Sequence, residues 1–202
     1  NLWEASRERR IPPEKIIDFS ANINPWGELF GIKDYPPVDE LARQGFLSVI
    51  DLSETTSLHK KQTAVAYIAK KLFTARRKGI IPPFLLVVEE AHQFAPEKTK
   101  KEHAVSKGII QTLAREGRKF HASLCLISQR PVQLSTTALS QCNTHIILRV
   151  TNPYDIEHIG KSSEGLNKSV LKQISTMRVG TALIVGEAVN YPMFVKVRQR
   201  SS

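Results

Sequence analysis

The sequence lacks the features of several protein classes. No apolar run reaches the roughly 18 residues that a membrane-spanning helix needs, and the stretch from Asn1 to Arg10 is too polar for a secretory signal. The two cysteines, Cys125 and Cys142, and the six histidines do not have the spacing of a zinc site. We therefore expect a cytoplasmic protein that makes no membrane contact and keeps both thiols reduced.

The sequence also lacks an initiating methionine, and we expect it to begin inside a longer protein. It does contain enough apolar material for a core, since hydrophobic residues make up 41% of the 202 residues. Lysine and arginine number 29 against 19 aspartates and glutamates, which gives a formal net charge of +10. Such a basic surface favours polyanions, and nucleic acid is the first partner to consider.

Regular structure is predicted only after the proline-rich start of the chain. Five prolines in residues 1–40 exclude a long helix or a central strand there, so we expect an irregular, partly helical segment followed by one domain over 41–202. In that domain apolar runs alternate with helical patterns, which predicts βαβ units and a mostly parallel sheet. The predicted strands are 46–52, 84–88, 122–127, 145–150, 181–185 and 194–197, and the predicted helices are 60–78 and 105–114. The continuous apolar character of the strands predicts cover on both faces, and the last two strands are expected to form an edge hairpin.

Two adjacent carboxylates, Glu89 and Glu90, follow the predicted strand Phe84–Val88. In α/β sheets, ligands bind beyond the carboxyl ends of the strands. A nucleoside-triphosphate motor needs one acid there to hold hydrated Mg²⁺ and a second to orient or deprotonate the attacking water. The alternative is that the acids occupy the first turn of a helix, where the helix dipole favours glutamate.

Polar residues also flank the next predicted strand, 122–127. Gln129 follows it, in the run Ser128–Pro131, and an amide at this position can touch both a γ-phosphate and the attacking water. A simple turn ended by proline is the alternative. Arg115 and Arg118 precede the same strand and are candidate arginine fingers for a neighbouring subunit, although cations also suit the end of a helix.

The order of these motifs resembles the HerA family, the archaeal hexameric DNA translocases of the HerA–FtsK superfamily. The matching runs are Leu86–His92, Arg115–Phe120, Ser128–Pro131, Arg149–Pro153 and Gly180–Ala188. The resemblance implies the C-terminal portion of a RecA-like P-loop NTPase core. That core is α/β, with a mostly parallel sheet flanked by helices and a C-terminal β-hairpin.

The resemblance also implies the chemistry and the partners. These are ATP, Mg²⁺, a homohexameric ring around double-stranded DNA, and the NurA nuclease in end resection during double-strand break repair. In this family's pattern, Glu89 is the Walker B acid that holds Mg²⁺ through water, Glu90 is the catalytic glutamate and Gln129 is the γ-phosphate sensor.

Four basic residues acquire candidate roles from the same resemblance. Either Arg115 or Arg118 is the trans-acting arginine, and the sequence does not rank them. Lys196 and Arg198 lie in the C-terminal tail, which in this family reaches towards a neighbouring subunit's nucleotide. The basic runs 76–78 and 98–101 are candidate DNA contacts or solvated faces.

A P-loop of the form G-x-x-x-x-G-K-[ST], which the family requires, does not occur in the sequence. Gly160–Ser162 looks like its end, but Asp155 stands where the first glycine is needed, and the run follows the acidic pair instead of preceding it. We expect the P-loop to precede Asn1 and the isolated chain to be inactive. The alternatives are a non-catalytic RecA-like domain that binds DNA or protein, and a conjugation or packaging ATPase of the same superfamily.

Overall fold

A computed structural model describes residues 12–18, 37–53, 55–98, 104–163 and 165–199. The strands in these ranges are β1 (Ile16–Asp18), β2 (Leu47–Val49), β3 (Phe84–Val88), β4 (Ala122–Leu126), β5 (Thr144–Leu148), β6 (Thr181–Gly186) and β7 (Met193–Lys196). The helices are α1 (Val38–Leu41), α2 (Leu58–Arg77), α3 (Lys107–Glu116), α4 (Thr136–Ser140), α5 (Pro153–Ser162) and α6 (Lys168–Thr176). Over the same ranges, none of the helices combines the length and apolarity that crossing a bilayer demands.

The strands pair in three groups. β1 pairs with β2 and β3 with β4, both in parallel, whereas β5, β6 and β7 form an antiparallel sheet in that order. The predicted α/β class, with parallel pairing and a C-terminal hairpin, is confirmed. Antiparallel pairing extends further than predicted, because β5 joins the hairpin. Most of the segment 1–40 lies outside the described residues, which include there only 12–18, with the 3₁₀ turn Pro13–Lys15 and β1, and 37–40, with the start of α1.

Helix α2 follows from its periodicity and its ends. Ser57 caps it by accepting a hydrogen bond from the Lys60 N–H, and Gly79, with a φ of 71°, ends it. Its buried face, which includes Ala69 and Phe73, packs with Leu113 of α3 against β3 and β4. The two helices therefore lie on the same side of the β3–β4 pair.

The other side of these strands is open, so the prediction that the strands are covered on both faces is wrong for the described residues. Successive side chains of a strand point to opposite faces. In β3, Leu85 and Val87 point away from the helices and are 59% and 43% exposed. In β5 the same alternation leaves Ile146 and Leu148 exposed.

The run Gly160–Ser162 is helical, and each of its residues has a structural partner. A Cβ at Gly160 would lie 2.7 Å from a methyl carbon of Leu171, so the glycine allows α5 and α6 to pack closely. Lys161 pairs with Glu157 at 2.7 Å, and the Ser162 hydroxyl donates to the backbone carbonyl of His158 at 2.8 Å. The interpretation that this run is not a phosphate loop is confirmed.

Glu97 connects the chain after β3 to the start of α4. Its two carboxylate oxygens accept hydrogen bonds from the Thr136 N–H at 2.6 Å and the Thr136 hydroxyl at 2.7 Å. Partial burial opposes the charged form of Glu97, but these bonds, together with His158 and Lys107, leave its pKa below the ordinary value. The ionised carboxylate therefore stabilises the fold.

Glu97→Gln is expected to lower the free energy of unfolding by about 1 kcal/mol at neutral pH, because one charge-assisted bond is lost at a partly solvated site. Since the folded-state pKa is lowered, the stabilisation is complete above the unfolded-state pKa and is lost as pH falls through the folded-state pKa. Urea unfolding of both proteins at neutral and acid pH measures this difference. A gap that does not narrow in acid would contradict the assignment, and Glu40→Gln, at an exposed glutamate of α1, is the matched control.

Candidate active site

The backbone of β3 pushes the acidic pair out of the β-ladder. Ile127, directly after β4, donates its N–H to the Val88 carbonyl at 2.9 Å and accepts the Ala91 N–H at 2.9 Å. One residue of the β4 side thus bonds to both ends of the segment Val88–Ala91. Glu89 and Glu90 lie between these two bonds, so they project from the carboxyl edge of the pair, where α/β sheets bind ligands.

Glu90 has an unusual backbone conformation. Its φ of 49° and ψ of 41° are left-handed, which costs a non-glycine residue about 1 kcal/mol or more. It occupies the N-cap position of the 3₁₀ turn Ala91–Gln93, but its side chain makes no capping hydrogen bond. The alternative of a helix-capping acid therefore has no support here. Glu89 is exposed and the Glu90 side chain is 45% exposed, so both carboxylates can reach a ligand.

Gln129 lies at the same edge as the acids. Because β3 and β4 are parallel and Val88 is opposite Leu126, the residues that follow both strands leave the sheet together. The Ser128 hydroxyl accepts the Arg130 N–H at 3.0 Å and shapes the turn that exposes Gln129. Within the described chain no hydrogen bond joins Gln129 to Glu90, and what they share is this edge.

Sequence reasoning gave no role to the groups that join the two turns. The His92 Nδ1 atom lies 3.0 Å from the Ser128 hydroxyl and 3.5 Å from a carboxylate oxygen of Glu90. Behind it, the Gln62 amide of α2 donates to the Gln93 carbonyl at 2.7 Å. Gln62 is only 2% exposed, and a glutamine on the apolar face of a helix is the signal that could have indicated this contact.

The candidate arginines are positioned at the opposite edge of the β3–β4 pair. Arg115 is in the last turn of α3, and Arg118 is in the 3₁₀ turn Gly117–Phe120 that leads into the amino end of β4. Gly117 permits this tight connection, since a Cβ there would collide with the Ala122 carbonyl. Five strand residues span roughly 16 Å, so these arginines are far from the acids of the same chain.

The two arginines differ in their surroundings. Arg118 pairs with Glu187, just after β6, at 3.2 Å, and both side chains are exposed. Among the described residues, Arg115 has no acidic partner. Lys196, at the end of β7, is opposite Thr181 at the start of β6. Lys196 and the nearby Arg198 are therefore close to the end of β6 that is farther from Glu187, and both are exposed.

The two basic runs predicted as candidate DNA contacts, 76–78 and 98–101, differ in what the structure describes of them. The Arg76 guanidinium donates to the backbone carbonyls of Phe120 at 2.7 Å and Ile81 at 3.0 Å. These bonds hold the end of α2 against the start of β4, so Arg76 has a structural role. In the run 98–101, Lys98 is exposed, and the other three residues lie outside the described residues.

The carboxylates at this edge suit a magnesium site that the phosphates of a nucleotide would complete. Mg²⁺ keeps several waters and is commonly bound by one or two carboxylates together with substrate phosphates. The exposed Glu89 carboxylate fits the role of a ligand that binds Mg²⁺ through water. Over the described residues, no cluster of three or more histidines, cysteines, aspartates or glutamates could hold a metal ion alone. The phosphates and the P-loop would have to complete the site.

Comparison with known proteins places this geometry in context. No protein-family model matches the chain. It is 44% identical over 115 residues to the DNA double-strand break repair helicase HerA of Pyrococcus furiosus, covering 57% of this chain and 20% of that protein. It is 30% identical to the HerA of Sulfurisphaera tokodaii over 190 residues, which is 91% of this chain and 37% of the relative. The chain is HerA-like.

A probable helicase of Methanocaldococcus jannaschii is 36% identical over 81% of the chain. The chain spans about a third or less of the length of these relatives. It covers 32% of this helicase and 28% of the probable HerA of the same organism. The HerA-like portion therefore corresponds to only part of these proteins.

Solved structures support the same fold. The genome packaging NTPase B204 of Sulfolobus turreted icosahedral virus 2, in complex with sulfate, superimposes with a TM-score of 0.58. The match covers 92% of this chain and 82% of that one at 16% identity. The AMPPCP complex gives 0.58 at 15% identity. At this identity the likeness concerns the fold alone, and it confirms the predicted fold class, an α/β core like that of the packaging NTPase.

Proposed function

We propose that this chain is the C-terminal part of the ATPase domain of a motor that translocates or unwinds double-stranded DNA, in DNA end resection and double-strand break repair. One observation carries the proposal: Glu89 and Glu90 leave the β3–β4 ladder at the carboxyl edge, beside the turn that bears Gln129. The names of the HerA relatives support the DNA repair role. The basic charge of the chain supports a polyanionic track.

Each residue at this edge has a distinct task in the proposed reaction. Glu89 would hold hydrated Mg²⁺, and Glu90 orients the attacking water and accepts its proton. Gln129 touches the γ-phosphate and reports its presence to the turn that carries it. When bound, Mg²⁺ neutralises charge on the phosphates. The P-loop, which positions those phosphates, comes from the part of the protein that precedes this chain.

The proposed assembly is a homohexamer around duplex DNA, located in the cytoplasm and partnered by NurA. A ring is supported by the separation of the arginines from the acids, because an arginine at the amino edge of β4 can serve only a site on another subunit. Arg115 or Arg118 is that arginine. Lys196 and Arg198 contact nucleotide at the neighbouring site.

The 202-residue chain on its own is expected to show no saturable binding of Mg²⁺–ATP at millimolar concentrations. Without a P-loop it lacks the backbone amides and the lysine that provide most contacts to the phosphates. Isothermal titration calorimetry measures this directly. Tight binding by the isolated chain would mean that its phosphate site lies elsewhere.

The full-length protein is expected to hydrolyse ATP faster with duplex DNA than without it. The stimulation should fall steeply with salt and be independent of sequence, because a translocase contacts phosphates. A coupled ATPase assay across a salt series measures both effects. If alanine at both Glu89 and Glu90 left turnover unchanged, the non-catalytic RecA-like domain would be the better assignment.

A packaging or conjugation motor is the second candidate within the same superfamily. The shared fold of the viral packaging NTPase is the observation that favours it. Unwinding of a forked duplex would support the helicase assignment, whereas translocation without strand separation would favour the packaging type.

A further inference from the structure

We propose that His92 is a positioning residue that sets the place of the Glu90 carboxylate and, through Ser128, couples it to the turn that carries Gln129. This inference rests on the proposed ATPase function. Its basis is the contact already described, in which one ring nitrogen lies 3.0 Å from the Ser128 hydroxyl and 3.5 Å from Glu90.

The geometry makes the two partners of His92 compete. Nδ1 carries either a single proton or a single lone pair, so it can form one good hydrogen bond in its plane. At 3.0 Å the bond to Ser128 is formed, whereas 3.5 Å to Glu90 is beyond good hydrogen-bond distance. The carboxylate is thus held near the ring but not bonded to it.

Ser128 can take either part in this exchange. Its oxygen accepts the Arg130 N–H at 3.0 Å, which leaves its own proton for Nδ1. When the ring proton is on Nε2, Ser128 donates to Nδ1 and Glu90 is free. When the proton is on Nδ1, it can be donated to Glu90 in a charge-assisted bond, which is stronger than a neutral one.

The surroundings enclose the ring and leave the carboxylate open to solvent. The His92 side chain is 10% exposed, against 45% for Glu90. The turn that carries His92 is held by the Gln93 N–H donating to the Glu90 carbonyl at 2.8 Å and by Gln62 donating to the Gln93 carbonyl. An enclosed ring beside an exposed acid provides a fixed point for that acid. A shift of the Gln129 turn that moves Ser128 would therefore change the hold on Glu90.

Substitutions that keep or remove Nδ1 test the positioning role in the full-length ATPase. An asparagine places a polar atom near Nδ1, whereas a glutamine places one near Nε2. We expect His92→Gln and His92→Leu to lower kcat about tenfold, the usual scale for removing an outer-shell partner. KM for ATP should stay within about twofold, since uniform binding is not affected. His92→Asn should restore most of kcat, and Ser128→Ala should lower kcat in the same direction.

Several outcomes would overturn the inference. Normal kcat in His92→Leu, a loss confined to KM, or rescue by glutamine as complete as that by asparagine would each remove the positioning role. A full-length protein with no ATPase activity would overturn the proposed function, and this inference with it.

Histidine ¹⁵N signals of the 202-residue chain give a readout without turnover, because Ser128→Ala and Glu90→Gln should each shift the Nδ1 resonance of His92. Unchanged signals in both variants would overturn the link.

Discussion

Glu90→Gln in the full-length protein is expected to abolish ATP hydrolysis, by at least about 100-fold, and to leave nucleotide binding intact. The expected size is that of removing a positioned general base. Glutamine keeps the shape of the side chain but cannot accept the proton of the attacking water. Binding should persist because, in the proposed site, the P-loop and the metal supported by Glu89 would hold the phosphates. Steady-state ATPase rates and the affinity for a non-hydrolysable analogue measure the two effects separately.

The matched control for this variant is Glu157→Gln. Glu157 is an exposed glutamate on α5 whose partner is Lys161, and its replacement makes the same chemical change far from the proposed site. Its turnover should match that of the wild type. Normal turnover in Glu90→Gln would remove the catalytic assignment, whereas loss of nucleotide binding would indicate that Glu90 acts on the phosphates or the metal instead of on water.

The secondary structure around the site could be predicted where side-chain periodicity decides it. Residues 84–88 form the predicted strand without change, because five apolar residues follow a pair of prolines. The helix predicted over 60–78 is α2, which begins two residues earlier than predicted because Ser57 caps it, and which ends one residue earlier. Parallel pairing then places Glu89, Glu90 and Gln129 at one edge, as the motif order indicated.

The finer geometry of the site could not be predicted, since it depends on pairing between distant residues. The left-handed backbone of Glu90 follows from Ile127 bonding to both Val88 and Ala91. The contact between His92 and Ser128 joins residues 36 positions apart. No local pattern encodes either relation.

The prediction of strand cover was wrong, and the antiparallel pairing of β5 was not predicted, for a related reason. An apolar run can be buried on both faces or on one, and the exposed Leu85 and Val87 show the second case. The antiparallel pairing of β5 with β6 is decided by the register Thr144 to Gly186. The apolar run Ile146–Leu148 within β5 does not indicate this direction.

The arrangement of the arginines makes a trans-acting role testable. Both lie at the amino edge of β4, whereas the acids lie at the carboxyl edge. The ion pair of Arg118 with Glu187 does not exclude Arg118, because exposed pairs of this kind contribute little and can be released. Arg115 has no acidic partner among the described residues, so no strong ion pair occupies either arginine.

Alanine at the trans-acting arginine is expected to lower kcat of the full-length protein by about 10³-fold or more, the scale of losing an arginine finger. Lys119→Ala, which removes a neighbouring exposed cation, should have little effect.

Mixing the inactive arginine variant with inactive Glu90→Gln subunits should restore activity. In a randomly mixed ring, about a quarter of the head-to-tail interfaces pair an intact Glu90 with an intact arginine. An arginine that acts within its own subunit would give no rescue, because no subunit of the mixture has both groups. The variant that is both inactive alone and rescued by mixing, Arg115→Ala or Arg118→Ala, therefore identifies the residue that crosses the interface.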